Sequence, residues 1–210
     1  MPRWTPPLPM TIFAAQAEQR IPVTEPFRAD GLHRILYRCP SCEREGQTEG
    51  KGTTLTCHAC GKTWQMDEYG RLAATEGETE FSHIPAWYAW ERACVKKEWE
   101  ENTYRLDTPV RLCVLTDYRA LYAVGEGRRV HDREGFTLYD QGGAVIYRQS
   151  PLASHSLNAD YYWYEMGDVI CIGNRDALYY CFPAEGVSVS KARLAAEELY
   201  KLCKGQPAPK

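Results

Sequence analysis

The 210-residue sequence lacks any long run of apolar residues. A helix that crosses a membrane needs about 18 to 20 such residues in succession, so an ordinary membrane-spanning helix is excluded. The proline-rich start, Met1-Pro2-Arg3-Trp4, contains no apolar core of a secretory signal, and this predicts a cytoplasmic protein. A glycine-rich phosphate loop and a Gly-x-Ser-x-Gly nucleophile elbow are also missing, which removes two common enzyme sites from consideration.

Positive charge is not in excess either. Lys and Arg number 25 against 28 Asp and Glu, for a net charge of −3. Proteins dedicated to nucleic acid usually carry a basic surplus, so nucleic acid is not the expected partner, although a local basic patch is still allowed.

Cysteine, in contrast, is plentiful, and four of the nine cysteines form two Cys-x-x-Cys pairs. Cys39 and Cys42 form the first pair and Cys57 and Cys60 the second, with 14 residues between the pairs. This spacing is typical of a site in which four thiolates bind one Zn²⁺. Four sulfurs complete a tetrahedron and leave no position for water, so the predicted zinc is structural. His58, inside the second pair, is predicted not to be a ligand.

The other five cysteines are scattered, mostly in apolar runs, and are predicted to be small buried side chains of a reducing compartment. They are Cys94, Cys113, Cys171, Cys181 and Cys203.

The sequence predicts an α+β protein made of successive small parts. These are a proline-rich tail or linker over 1–30, a zinc ribbon over 31–80, a linking helix over 81–106, an antiparallel β domain with a C-terminal helix over 107–203, and a tail over 204–210.

The linking helix carries an imperfect apolar stripe that includes Trp87, Val95 and Trp99. Glu91 and Glu98 fall in the same arc. We expect both to flank the buried strip and reach solvent; the alternative is that they contact a basic partner.

The β domain is predicted from short segments rich in Val, Ile, Tyr and Phe, separated by turn residues at intervals of about 8 to 12 residues. One of the predicted turns is Gly125-Glu126-Gly127. Seven strands and a closing helix predict a barrel, and their order is that of a pleckstrin-homology-like barrel plugged by its last helix. The predicted strands are 111–115, 120–124, 136–139, 145–148, 161–164, 169–172 and 178–182.

Three arginines form a small basic cluster beside a predicted hairpin turn: Arg128, Arg129 and Arg133. The cluster is either an ordinary charged hairpin face or a contact for phosphate or an anionic lipid headgroup.

His155 and Asp160 match the His-x4-Asp signature of glycerolipid acyltransferases, in which the His is a general base and the Asp orients it. The segment Phe182-Pro183-Ala184-Glu185-Gly186 loosely matches the phosphate-binding motif of the same enzymes. Only about 22 residues of aromatic strand separate the two motifs, too few for that catalytic domain. We therefore predict that His155 lies in a loop entering a strand and that Asp160 helps its turn.

A resemblance to a known family rests on residues 50–62, 77–92, 161–173 and 195–200. These segments resemble the C-terminal extension of Firmicutes proteins named 1-acyl-sn-glycerol-3-phosphate acyltransferases. The resemblance implies that an acyltransferase domain, which supplies the catalytic His-x4-Asp, precedes such an extension and is absent here. The resemblance implies that Cys39, Cys42, Cys57 and Cys60 are zinc ligands, and it implies no catalytic residue in this sequence.

The leading hypothesis is therefore a non-catalytic, zinc-binding accessory module of phosphatidic acid synthesis at the cytoplasmic membrane face. Its expected partners are an acyltransferase domain, another protein or an anionic lipid surface. The alternatives are a zinc ribbon that binds nucleic acid, which the net charge opposes, and an acyltransferase that uses His155 and Asp160.

Overall fold

The structure is a computed structural model that describes residues 15–16, 18–116, 119–184 and 186–205. The expected tails over 1–30 and 204–210 lie partly outside these residues. The chain divides into two compact units, unit 1 (Met1–Trp90) and unit 2 (Glu91–Lys210). The boundary falls within a long helix, α1 (Ile84–Glu100).

Unit 1 contains a four-stranded antiparallel sheet in which each strand pairs with the next along the chain. The strands are β1 (Thr48–Lys51), β2 (Thr54–Cys57), β3 (Thr63–Met66) and β4 (Leu72–Ala74), preceded by a 3₁₀ turn, Leu32–Arg34. Trp64 and Trp87 are fully buried in its core, with ring centroids 5.0 Å apart. Leu36, Leu55 and Leu72 complete the apolar centre.

Residues 23–30 lie along this sheet. The Val23 amide donates to the Glu68 carbonyl at 2.8 Å, and the Arg28 side chain donates to the Met66 carbonyl at 2.9 Å. Ala29 is fully buried, and its carbonyl oxygen would lie 2.2 Å from a Cβ at position 50. Gly50 is therefore required where the incoming chain crosses β1.

Unit 2 is built on a curled antiparallel sheet of seven strands that forms a half-barrel, in the order β8-β7-β6-β5-β11-β10-β9. The α+β class and the seven-stranded sheet predicted from the sequence are confirmed at this level. The strands are β5 (Leu106–Leu115), β6 (Leu121–Asp132), β7 (Gly135–Asp140), β8 (Val145–Gln149), β9 (Asn158–Asp160), β10 (Val169–Gly173) and β11 (Leu178–Pro183).

The second long helix, α2 (Val189–Lys204), packs its apolar side on the inner face of this sheet. Its first turn is capped by Ser188, whose hydroxyl accepts a hydrogen bond from the Lys191 amide at 3.1 Å. Val189, Ala192 and Ala196 join a core that includes Leu112, Leu138, Ile170 and Ile172.

Two local predictions in unit 2 are wrong. Residues 161–164 are not a strand, because Tyr162 and Tyr164 have left-handed backbone angles, φ of 54° and 43°, beside a 3₁₀ turn. The predicted turn at Gly125 lies inside β6. Gly125 has a φ of 115° there, next to a register shift opposite Leu112 and Cys113 that bends the strand without ending it.

We predicted that Glu91 and Glu98 of α1 reach solvent, and this prediction is wrong for Glu91. This residue is fully buried, whereas Glu98 is partly exposed and forms an ion pair with Lys191 at 3.0 Å within unit 2. The periodicity placed Glu91 on the buried arc, and the structure keeps it there.

An ionic network joins α1 to α2 within unit 2. Arg92 contacts Glu197 at 2.7 Å and Glu198 at 2.9 Å. Burial alone would raise the pKa of both carboxyls. Hydrogen bonds from Ser156 and Arg92 to Glu197, and from Lys201 and Arg92 to Glu198, outweigh burial and hold each pKa below its ordinary value.

Stability should therefore depend on pH through Arg92. A depressed carboxyl pKa contributes stability above the unfolded value of about 4.3 and loses it as the pH falls through the folded value. We expect Arg92→Met to destabilise unit 2 by about 1 kcal/mol at pH 7 and by much less at pH 3, measured by urea unfolding. Arg105→Met, which removes an exposed ion pair with Asp132, is the control. An equal loss at both pH values for Arg92→Met would contradict this account.

Candidate metal centre

The four paired cysteines lie on two short loops with the same backbone pattern. In the first loop the Cys39 amide donates to the Arg44 carbonyl at 2.9 Å, and the Glu43 amide donates back to the Cys39 carbonyl at 2.8 Å. In the second loop the Cys57 amide donates to the Lys62 carbonyl, and the Gly61 amide to the Cys57 carbonyl, both at 2.8 Å. Each loop thus forms a tight knuckle that turns two thiols toward the same point.

Each knuckle ends in a residue with left-handed backbone. Gly61 has a φ of 78°, and Glu43 has a φ of 59° at the equivalent place in the first knuckle. A glutamate in this conformation is less favourable than glycine. Glu43 lies 2.8 Å from Arg38, an ion pair that spans the knuckle.

The sheet brings the two knuckles together. Cys57 ends β2 and pairs with Thr48 at the start of β1, so the knuckles lie beside each other. Cys39 and Cys60 have sulfurs 3.8 Å apart, as do Cys42 and Cys57, and all four Sγ atoms lie within 4.8 Å of one another. The described residues can therefore hold a metal ion at this place with four sulfur ligands.

Burial and backbone amides act on the thiols in opposite directions. Burial raises the pKa of the Cys39 and Cys57 thiols. Hydrogen bonds from the backbone amides of Cys42 and Ser41 oppose this rise at Cys39. The amides of Cys60 and Ala59 do the same at Cys57. Amides directed at the sulfur stabilise the thiolate, the form that binds metal. One cysteine of each knuckle is buried in the core, whereas Cys60 is exposed.

His58 lies outside the cluster. Its Nε2 is 2.9 Å from Glu49 Oε2 on the exposed side of the sheet, and the residues brought together at the centre are the four cysteines.

The structure does not bring the three arginines together. Arg128 is half-exposed, with its guanidinium 4.7 Å from the Tyr139 ring centroid and 3.5 Å from Asp107. Arg133 is exposed and donates to Asn102 at 2.6 Å and to the Trp99 carbonyl. Arg129 is fully buried. Strand alternation separates Arg128 from Arg129, since neighbours in a strand face opposite sides, whereas Arg133 lies in the turn after β6. Sequence reasoning missed the burial of Arg129.

His155 and Asp160 likewise contact different residues. The His155 ring lies against Tyr200, with centroids 5.2 Å apart, and an Asp160 carboxylate oxygen accepts from the Tyr161 amide at 2.8 Å. Among the described residues no hydrogen bond joins these two side chains, whereas a general base and its orienting carboxylate are hydrogen-bonded to each other.

No family model, curated protein or solved structure matches this chain. The resemblance to the acyltransferase extension stays a prediction, and the metal centre rests on its own geometry. In the part of the chain that the structure describes, no helix is both long enough and apolar enough to span a membrane.

Proposed function

We propose that this chain is a non-catalytic accessory module, that unit 1 is a zinc ribbon, and that its metal is a structural Zn²⁺. The observation that carries the zinc assignment is the sulfur arrangement at the two knuckles. Zn–S bonds of about 2.3 Å at tetrahedral angles place sulfurs about 3.8 Å apart. The Cys39–Cys60 and Cys42–Cys57 separations are both 3.8 Å.

The accessory role follows from the chemistry of that centre. Cys39, Cys42, Cys57 and Cys60 would fill the coordination sphere of the zinc, so the metal would supply folding energy and no reactive water. The separation of His155 from Asp160 supports a chain that is not itself an acyltransferase. The resemblance supplies the pathway, phosphatidic acid synthesis, and the proposed partner, an acyltransferase domain or an anionic lipid surface at the cytoplasmic membrane face. On element order, the β domain is proposed to be a pleckstrin-homology-like barrel.

Metal analysis and an activity assay test the two halves of this proposal. The purified chain should contain about one zinc, should show the charge-transfer and d–d absorption of tetrahedral cobalt thiolate when Co²⁺ replaces it, and should lose both in Cys42→Ser. The Cys203→Ser variant, with its cysteine on α2, is the matched control and should keep both.

The same preparation should not acylate lysophosphatidic acid from an acyl-thioester donor. If the chain does transfer an acyl group and His155→Ala abolishes that transfer, the non-catalytic assignment is wrong. A folded, metal-free native chain would overturn the zinc assignment.

A further inference from the structure

Arg129 lies in the middle of β6 with its whole side chain inside unit 2. Its residue is 0% exposed, and Nε, Nη1 and Nη2 all lack a hydrogen-bond partner among the described residues. Thr108 on β5 and Leu138 on β7 are its direct cross-strand partners, and both are buried. Directly opposite residues of antiparallel strands share a face, so Arg129 projects to the side of the sheet on which Leu138 joins the inner core.

A bare guanidinium in such a place is strongly unfavourable. Burial lowers the pKa of Arg129, but an arginine side chain keeps its proton in proteins. Native interiors compensate buried charges by pairing and satisfy buried donors, and here three nitrogens of one cation have neither.

In the part of the chain that the structure describes, the ionisable groups that act on Arg129 supply no negative charge. Those that act on Arg129 are Cys181 and Tyr104. Burial raises the pKa of Cys181 to about 12, so this thiol is neutral at pH 7. The Tyr104 hydroxyl is 3.0 Å from His131 Nδ1, and burial, together with the charge of Arg129, keeps the pKa of His131 well below its ordinary value. The site is therefore one fixed positive charge among neutral groups.

We propose that Arg129 is the anchor of an internal anion site in the β domain, and that it binds the carboxylate or phosphate group of a small ligand. The planar guanidinium fork offers five N–H donors, which match the oxygens of these groups in pairs. Bound there, the anion supplies both the missing charge and the missing acceptors.

The surrounding packing favours a small ligand. Val189 and Ala192 of α2 pack on the same inner core as Leu138. A cavity lined by His131, Gln149, Ser154 and Leu157 has room for about one water molecule, and Arg129 itself does not line it. This packing leaves no preformed space for a bulky headgroup, and even a carboxylate or phosphate group must displace packed side chains to reach the Arg129 guanidinium. The site involves unit 2 residues only, so it stands or falls independently of the zinc centre.

Thermal unfolding of the full zinc-loaded chain tests this site with sodium acetate and sodium phosphate as separate probes, at an ionic strength held constant with sodium chloride. We expect at least one of the two to raise Tm saturably, by about 3 °C or more. Arg129→Met should abolish the rise, and should have the higher Tm without added anion because it removes an unpaired buried charge. Arg128→Met, which changes the exposed neighbour, should respond as the natural protein does.

Protection by acetate alone identifies a carboxylate ligand, by phosphate alone a phosphate ligand, and by both a site for either oxyanion. No saturable rise with either probe, or an equal rise in Arg129→Met, would overturn the proposal. If Arg129→Met does not fold, the Nε–H resonance of Arg129, identified by its loss in Arg129→Lys, should shift on titration with the protecting anion. An unmoved resonance would also overturn it.

Discussion

Cys57→Ser, or removal of the metal by a strong chelator, should unfold unit 1. Cys57 is fully buried, and so is Cys39, so two of the proposed ligands are part of the core formed by Leu55, Trp64 and Trp87. Structural zinc contributes about 10 to 16 kcal/mol in zinc-finger peptides, which is comparable with the whole stability of a domain, about 5 to 15 kcal/mol. A sheet of four short strands cannot replace that contribution by apolar burial alone.

Two tryptophan side chains report this unfolding directly. The Trp64 indole N–H donates to Glu80 at 3.2 Å, and the Trp87 indole N–H donates to the Arg38 carbonyl at 2.9 Å, immediately before the first knuckle. In Cys57→Ser both indole resonances should collapse to the position of free tryptophan, and they should do the same in the natural chain after chelation. Cys203→Ser should leave them unchanged. If both resonances stay dispersed after complete metal removal, zinc does not fold unit 1.

The metal centre could be read from the sequence because its determinants are local. Each knuckle is closed by hydrogen bonds between residues four and five positions apart, around Cys39 and around Cys57. The spacing within a pair therefore defines its geometry, and the residues between the pairs need only form the hairpin of β1 and β2.

The interior of unit 2 was less predictable because its determinants are distant in the sequence. The strand β5 pairs with β6, which follows it, and also with β11, more than 60 residues later. These pairings, with α2 packed on the inner face of the sheet, place Arg129 in the interior, where the sequence predicted a surface arginine. Composition identified most strands, whereas their lengths and the true β9 depend on partners that no local pattern specifies.

Buried charge is the feature on which the sequence was most misleading. Glu91 and Arg129 are both charged residues that the structure buries completely, at 0% exposure. For Glu91 the prior that charged side chains reach solvent outweighed the periodicity, whereas Arg129 was predicted to lie in a basic cluster beside a hairpin turn. Where a strong periodic pattern places a charge inside, the pattern deserves more weight, and the buried charge then indicates a ligand or a specific partner.

Trp99→Ala should be the most damaging single substitution in the helix region of unit 2. Trp99 is fully buried, its ring centroid lies 4.2 Å from that of Tyr104 and 5.7 Å from that of His131, and its indole N–H donates to the Ala195 carbonyl at 3.0 Å. Truncation removes the ring and leaves that carbonyl without its donor, so we expect a loss of about 3 to 5 kcal/mol, measured by urea unfolding followed by circular dichroism.

Tyr164→Ala is the matched control, because it also deletes an aromatic ring but one that is 81% exposed, and it should change stability by less than about 0.5 kcal/mol. Trp99→Phe should lie between the two, since it keeps most of the apolar contact and loses only the hydrogen bond to Ala195. Equal losses for Trp99→Ala and Tyr164→Ala would show that Trp99 does not hold α1 to α2.

The Trp99→Phe variant also tests the anion site proposed at Arg129. Trp99 contacts His131, which lies on the same inner face of the sheet as Arg129. If this contact helps to position the anion site, a folded Trp99→Phe should bind the protecting anion more weakly.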